Sequence, residues 1–277
     1  MSRTFLATLH FDGTRFVGWQ RQPAGRSVQA ELERVLERLF GGRVPAHAAG
    51  RTDAGVHAEG LGVSFPAPDQ WTSVSLRRAL NALLPADCWV ARLDVMRPGF
   101  HARKSALTRR YRYDIGTDDA CASPFRRPLE WALGRPLDVG ALRSAATLLH
   151  GEHDFRAFAV TGQPRRHHRC RLIAAEWGER SEGRGVSFHV EADRFLHHMV
   201  RMLVGTMVDV GLGRRPVSDI DMLLELGHNQ RTSPPAPPQG LYFVRATYPV
   251  ELFLEGEDTS DEASGRMALP RSGAGNA

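Results

Sequence analysis

The run GRTDAGVH, residues 50–57, is the segment of this sequence best suited to present an acid to a ligand. It places Asp53 between the basic Arg51 and the flexible Gly55 in a polar loop, where a carboxylate can face a bound molecule. A second interpretation stays open, in which Asp53 caps a turn or a helix through a backbone amide, as Asp commonly does in such loops. Local chemistry alone favours the cap.

A second segment with chemical potential is LTRRYRYDI, residues 107–115. Its alternation predicts a strand with Tyr111 and Tyr113 on one face and charged residues on the other. Taken alone, Tyr111 is better explained as a core aromatic than as a functional residue, because tyrosine is common in strands.

A third segment, LHHMVRMLVGTMVDVG, spans residues 196–211 and carries an apolar stripe at helical spacing. His197, Arg201 and Gly205 fall on an adjacent line at spacing four, where the glycine leaves room for close approach. In isolation Arg201 would be a surface residue at the edge of the stripe.

The elements that must position these segments alternate between strands and helices in both halves of the chain. FLATLHF, residues 5–11, alternates as a half-buried strand does, and Ser27 can cap a helix that Gly41 ends. Because the second half repeats this order, we predict an α/β (α+β) fold of two similarly built lobes: residues 1–106 and residues 107–250. Residues 251–277, acidic and rich in Gly and Ser, are predicted to be a disordered tail.

Several segments together resemble the tRNA pseudouridine synthase A family. GRTDAGVHA is similar to the family's central motif, and further segments follow the family's order: FDGTRFVGWQRQ, SVQAELE, ALNALLP, FHARKSALTRRYRY, GEHDFRAF, FLHHMVRMLVGTMVDVG and APPQGLYFV. They span nearly all of residues 5 to 250. The chain departs from the family pattern at His10 and Phe11, where a tyrosine commonly precedes Asp-Gly, and in the loosely matching RRHHRCRLI.

The resemblance implies that the chain isomerises uridine to pseudouridine at positions 38, 39 and 40 of transfer RNA, with Asp53 as the catalytic carboxylate. Tyr111 matches the family's active-site tyrosine, which is expected to stack on the target base and is a candidate to help remove its carbon 5 proton. Arg201 matches the basic residue that pairs with the aspartate and would hold it ionised and oriented. Arg51 is expected to occupy the gap that the flipped base leaves.

Four other residues are candidate RNA contacts, each with the alternative of a solvated or structural side chain: His57, His101, Arg103 and Arg110. Two clusters suggest a metal site, one of His167, His168 and Cys170 and one of His197 and His198. Adjacent histidines on a helix point about 100° apart, however, and neither cluster has zinc-ligand spacing. We therefore expect no metal and no cofactor. The resemblance further implies a largely antiparallel sheet shared by the lobes and flanked by helices, an active-site cleft between the lobes, and a homodimer.

Composition agrees with an RNA partner without proving one. The formal net charge is +5, and the excess is larger over residues 1–250 because the last 27 residues hold six acids and two arginines. Three scattered cysteines argue against a disulfide framework, and no segment has the roughly 18 apolar residues of a membrane span. We expect a cytoplasmic protein without membrane contact.

Parts of the sequence also fit two other functions, a phosphatase and a non-catalytic RNA-binding protein. His10-Phe11-Asp12-Gly13-Thr14 resembles the nucleophile loop of haloacid-dehalogenase-like phosphatases, but a histidine stands where their nucleophilic aspartate would be. The alternative that stays open is a non-catalytic RNA-binding protein of the same fold, against which the intact Asp53, Tyr111 and Arg201 argue, because a pure binder gains nothing from an acid that repels phosphate.

Overall fold

One mixed sheet runs through the part of the chain that the computed structural model describes, which is residues 2–160, 167–254 and 266–267. Its strands are β1 (Ser2–Phe11), β2 (His47–Ala48), β3 (His57–Pro68), β4 (Cys88–Met96), β5 (Thr108–Gly116), β6 (Trp131–Ala132), β7 (Gly151–Asp154), β8 (Arg169–Glu179), β9 (Gly185–Ala192), β10 (Leu241–Pro249) and β11 (Arg266–Met267). The helices are α1 (Val28–Phe40), α2 (Ser73–Leu83), α3 (Val139–Thr147), α4 (Met199–Gly211) and α5 (Asp219–Glu225).

The order of the main strands, β4-β1-β3-β10-β5-β9-β8-β7, divides the sheet into two antiparallel halves. Strands β4, β1 and β3 form one half, and β10, β5, β9, β8 and β7 form the other. The halves meet where β3 and β10 run parallel, with Tyr242 opposite His57. The predicted α/β fold with two lobes sharing a largely antiparallel sheet is confirmed, while the division of the chain at residue 106 stays a prediction.

Helix α1 begins and ends where the sequence indicates. The Ser27 side chain accepts a hydrogen bond from the backbone amide of Ala30 at the start of α1, and Gly41 ends this helix with a left-handed φ of 76°. Helix α2 packs on β4, and α3 packs on β8 and α4. Each lobe therefore covers its part of the sheet with its own helices.

Strand β5 shows the predicted alternation, with Tyr111 and Tyr113 both buried. The hydroxyl of Tyr113 donates a hydrogen bond to the carbonyl of Pro237 at 2.6 Å, so this side chain fills the core, as expected. The helix predicted over residues 196–211 begins only at Met199, because His198 adopts a left-handed conformation with φ 62°. That prediction was wrong by three residues at the start of α4, and the difference shapes the site described below.

Past β10 the chain continues across the sheet edge. Phe253 is buried opposite Met96, and the amide of Leu254 donates to the carbonyl of Val95 at 3.0 Å. The tail predicted to be disordered over residues 251–277 was therefore placed too early, because residues 251–254 are ordered; residues 255–265 and 268–277 lie outside the described residues. Among the described residues, no helix is both long enough and apolar enough to cross a membrane.

Candidate active site

A cleft of about 1330 Å³ opens between the two lobes. The first lobe lines it with residues 46–54, His101, Arg103 and Lys104, and the second with residues 194–201. Pockets for drug-sized ligands have volumes of roughly 300–1,000 Å³, so this cleft has room for a segment of a macromolecule. The cleft expected between the lobes is therefore present.

The loop that carries Asp53 into this cleft is held by hydrogen bonds to residues 16–19, which follow β1. The amide of Trp19 donates to the carbonyl of Thr52 at 3.1 Å, and the amide of Gly55 donates to the carbonyl of Phe16 at 3.2 Å. Gly18 has a φ of +104°, and a Cβ at this position would lie only 2.5 Å from the Thr52 oxygen. Glycine is needed here because the two backbones touch.

Within this loop the Asp53 carboxylate faces Arg201 rather than capping a turn. A guanidinium nitrogen of Arg201, Nη1, donates to Asp53 Oδ2 at 3.2 Å, and the exposed fractions of the two side chains are 13% and 21%. Among the described residues, no backbone amide donates to this carboxylate. The pairing expected from the resemblance is thus present in the geometry, and it orients the carboxylate.

Arg201 is itself held by the proline-rich segment that precedes β10. Its Nε donates to the carbonyl of Ala236 at 2.7 Å, and the Ala236 amide donates back to the carbonyl of Arg201 at 2.9 Å. A Cβ on Gly205 would lie 2.2 Å from the carbonyl oxygen of Pro234, so the predicted close approach at Gly205 is made by this segment. The guanidinium therefore has two fixed acceptors and little freedom to turn away.

Two histidines that sequence reasoning assigned no role also face Asp53. Nε2 of His198 lies 3.3 Å from Asp53 Oδ2, and Nε2 of His197 lies 3.6 Å from Asp53 Oδ1. Burial lowers the pKa of His198, while the nearby Asp53 charge acts in the opposite direction. The left-handed turn at His198 aims both rings at one carboxylate, which a helix continuing through residue 197 would not do.

Tyr111 forms the apolar wall beside Asp53. Its ring packs edge-on against Phe195 and Phe243, each with centroids 5.0 Å away. Burial, with a smaller contribution from the Asp53 charge, raises the pKa of Tyr111 well above its ordinary value. The phenol is therefore neutral, a state suited to stacking and to donating a hydrogen bond.

The charges of the cleft are almost all positive. Its described lining contains Asp53 as the one acid and six cationic residues: Arg51, Arg103, Lys104, Arg109, Arg194 and Arg201. The side chains of Arg51 and Arg103 are exposed. The ring of His101 stacks on that of His47 with centroids 4.6 Å apart, and burial lowers the pKa of His101. Such a lining attracts a polyanion.

Two candidate RNA contacts lie outside the cleft. His57 is 2% exposed; its Nδ1 accepts from the amide of Gly13 at 3.1 Å, and its Nε2 faces the carbonyl of Pro128 at 3.2 Å, so both ring nitrogens are engaged. Arg110 lies on the sheet face opposite Tyr111 and pairs with Glu191 at 3.1 Å. The structure brings Asp53, Tyr111, Arg51, Arg201, His101 and Arg103 to one cleft and leaves these two elsewhere.

The chain resembles known proteins over most of its length. Residues 145–249 match the family model described as tRNA pseudouridine synthase. A tRNA pseudouridine synthase A of Myxococcus xanthus is 44% identical over 87% of this chain and 90% of its own length. A tRNA pseudouridine synthase A of Moorella thermoacetica is 40% identical over 87% of this chain and 98% of its own length. A third, from Geobacter, is 38% identical over 89% and 99% of the two chains. The chain therefore belongs to the tRNA pseudouridine synthase A family.

Proposed function

We propose that this chain isomerises uridine to pseudouridine at positions 38, 39 and 40 in the anticodon stem and loop of transfer RNAs, with Asp53 as the catalytic carboxylate. Membership of the family supports the reaction and the class of substrate. The observation that carries the assignment to Asp53 is its position as the one acid in the described lining of a cationic cleft, oriented by Arg201.

The reaction requires four bond changes that a single base can undergo without leaving the site. The bond from uracil N1 to the ribose C1′ breaks, a bond from C5 to C1′ forms, C5 loses a proton and N1 gains one. An ionised carboxylate can attack the sugar carbon or abstract a sugar proton, and either step needs it anionic and aimed. The contact from Arg201 aims the carboxylate whichever step comes first.

Tyr111 acts, in this proposal, as the surface against which the detached uracil stacks while it turns. Its burial and its raised pKa disfavour the phenolate that a strong base would need. The edge-on contacts with Phe195 and Phe243 keep the ring in place. Stacking of a base on an aromatic ring contributes about 1–3 kcal/mol and tolerates a base that rotates in its plane.

The remaining cleft residues bind the RNA around the target nucleotide. Arg51, exposed and two residues before Asp53, occupies the gap that the flipped base leaves, and Arg103 and His101 contact phosphates. Choosing among three neighbouring uridines suits a protein that reads RNA shape and backbone more than base sequence.

We also propose that the protein is a homodimer that works in the cytoplasm and uses no metal or cofactor. The family resemblance supports the dimer, and the reaction class supports a compartment where transfer RNA is present. Light scattering coupled to gel filtration tests the dimer: a mass of one chain at micromolar concentration would contradict it. Cell fractionation with detection of the endogenous protein tests the location.

The test of the activity uses unmodified transfer RNA, with pseudouridine mapped by position and no metal added. Wild type should form product at positions 38–40, while Asp53→Asn should form none. Asp221→Asn, an exposed aspartate on α5, is the matched control and should behave as wild type. Transcripts with cytidine at all three positions should gain no pseudouridine. Tight RNA binding without product from the wild type would favour the non-catalytic RNA-binding protein and overturn the proposal.

A further inference from the structure

Three side chains with metal-binding atoms meet at the cleft: Asp53, His197 and His198, which we call the imidazole–carboxylate cluster. One ligand atom from each lies within 4.8 Å of the other two. Two imidazoles and one carboxylate form a donor set that zinc and related transition metals bind. Neither the reaction nor the family assignment requires this combination.

The spacing of the cluster fits a tetrahedral ion. Zinc bonds of about 2.0–2.2 Å hold neighbouring ligand atoms about 3.3–3.5 Å apart in a tetrahedron. His198 Nε2 lies 3.3 Å from Asp53 Oδ2 and His197 Nε2 lies 3.6 Å from Asp53 Oδ1, so each imidazole stands at about this separation from one of the two carboxylate oxygens. The two rings are neighbours, with centroids 4.2 Å apart, and an ion between them and the carboxylate would have all three side chains as ligands.

The local backbone explains why adjacent histidines converge. His198 is one of two non-glycine residues with positive φ in the described chain, and α4 starts immediately after it. The turn places both rings over Asp53 instead of on different faces of a helix. The reason we gave from the sequence for expecting no metal, that the two side chains diverge on a helix, therefore does not apply.

Arg201 limits which ions can bind. Its guanidinium contacts Asp53 Oδ2, and its charge opposes any cation at the cluster, whereas Oδ1 faces His197. Mg²⁺ and Ca²⁺ depend on oxygen ligands and on net negative charge, which this site lacks. Zn²⁺, Co²⁺ and Ni²⁺ bind imidazole nitrogen directly and tolerate the neighbouring charge better.

We propose that the imidazole–carboxylate cluster binds one zinc-class transition-metal ion and that the bound ion inhibits the enzyme by occupying Asp53. The inhibition rests on the proposed catalytic role of Asp53; the binding does not. A cluster that serves only to orient the carboxylate through imidazole N–H groups would instead retain no metal.

Binding is tested on the full-length, untagged chain after removal of metal with a chelator. Zn²⁺ is titrated in competition with a chromogenic zinc indicator, and Co²⁺ is followed by its visible absorption bands. We expect one ion per chain. His197→Gln and His198→Asn should each weaken binding by more than about tenfold, the loss already caused by changing supporting groups of metal sites. Asparagine suits position 198 because it tolerates a positive φ.

His228→Gln, an exposed histidine outside the cleft, is the matched control and should bind as wild type does. Absence of a retained ion, or equal binding by wild type and both cluster variants, would overturn the proposal. A second measurement adds Zn²⁺ to the pseudouridine assay, where product formation should fall and a chelator should restore it. An active chain that binds no ion refutes this site alone, while a chain that binds the ion but forms no pseudouridine even after the ion is removed with a chelator counts against the proposed function alone.

Discussion

Replacing Gly18 with alanine tests whether the loop of Asp53 depends on a glycine 35 positions earlier in the chain. The new Cβ would lie 2.5 Å from the carbonyl oxygen of Thr52 and 3.1 Å from the carbonyl carbon of Asp53, and both neighbours are backbone atoms. Ordinary van der Waals contact begins at 3.4 Å, so the two segments must separate by about 0.9 Å, and the loop of Asp53 must move.

The size of the effect follows from that displacement. A misplacement of about 1 Å can cost on the order of 10²-fold in rate when a catalytic group is involved. The positive φ adds about 1–2 kcal/mol of destabilisation for a residue with a Cβ. We expect kcat for pseudouridine formation to fall about a hundredfold, with tRNA affinity largely kept because the cationic lining is unchanged. Single-turnover rates and filter binding measure the two quantities separately.

The matched control is Gly41→Ala at the end of α1. Gly41 also has a positive φ, +76°, but a Cβ there would meet nothing within 4 Å. Gly41→Ala should lose only the stability that the positive φ costs, Gly18→Ala should lose somewhat more because of the added clash, and only Gly18→Ala should lose activity when both are assayed well below their melting temperatures. If the two variants had equal kcat values within about twofold, the loop of Asp53 would not be positioned by this backbone contact, and the reasoning would fail.

Single contacts in the cleft and at the lobe junction give three more tests. Arg201→Lys has a single nitrogen in place of the two that bond to Asp53 and to the carbonyl of Ala236, so it loses this paired geometry. We expect kcat to fall about 10²- to 10³-fold in single-turnover assays; a wild-type rate would contradict this. Tyr111→Phe keeps the stacking ring and should cost less than about tenfold, whereas a loss of about 10²–10⁴-fold would assign proton transfer to the hydroxyl. Burial holds the pKa of His57 in the folded protein below its ordinary value of 6.5. As the pH drops below 6.5, the unfolded chain binds a proton at this histidine before the folded protein does, so the free energy of unfolding falls. His57→Gln should flatten that decline in denaturant titrations, by up to about 1.4 kcal/mol per pH unit, and His228→Gln should not.

The sequence predicted the elements whose signals are local. The Ser27 cap, the apolar stripe of α1 and the glycine at its end each specify the conformation of residues close by. Alternation in residues 107–115 predicted which tyrosines would be buried. The pairing of Asp53 with Arg201, 148 residues apart, came from family resemblance, since no local pattern encodes a contact across two lobes.

What the sequence did not reveal depends on backbone turns and on long-range register. Hydrophobic periodicity extends from residue 196 into α4, so it hid the left-handed turn at His198 and the approach of two imidazoles to Asp53. His57 ends the run GRTDAGVH and was predicted to be available to RNA, but strand β3 starts there and turns its ring into the core. Alternation predicts which residues of a strand share a face, but not which face meets the cleft. Arg110 was therefore predicted to contact RNA although it lies on the face turned away from the cleft.

The segment APPQGLYF, residues 236–243, explains how two distant groups become one site. Its first residue accepts a hydrogen bond from Arg201, and its last residues form the start of β10 beside β3, the strand that follows the Asp53 loop. Between these points Pro238 packs so closely on the same loop that a Cβ on Gly55 would lie 3.0 Å from its ring. Proline fixes the backbone of this segment before it meets either partner. This one rigid segment contacts both Arg201 and the loop of Asp53. It thus sets the position of the Arg201 guanidinium relative to the Asp53 carboxylate.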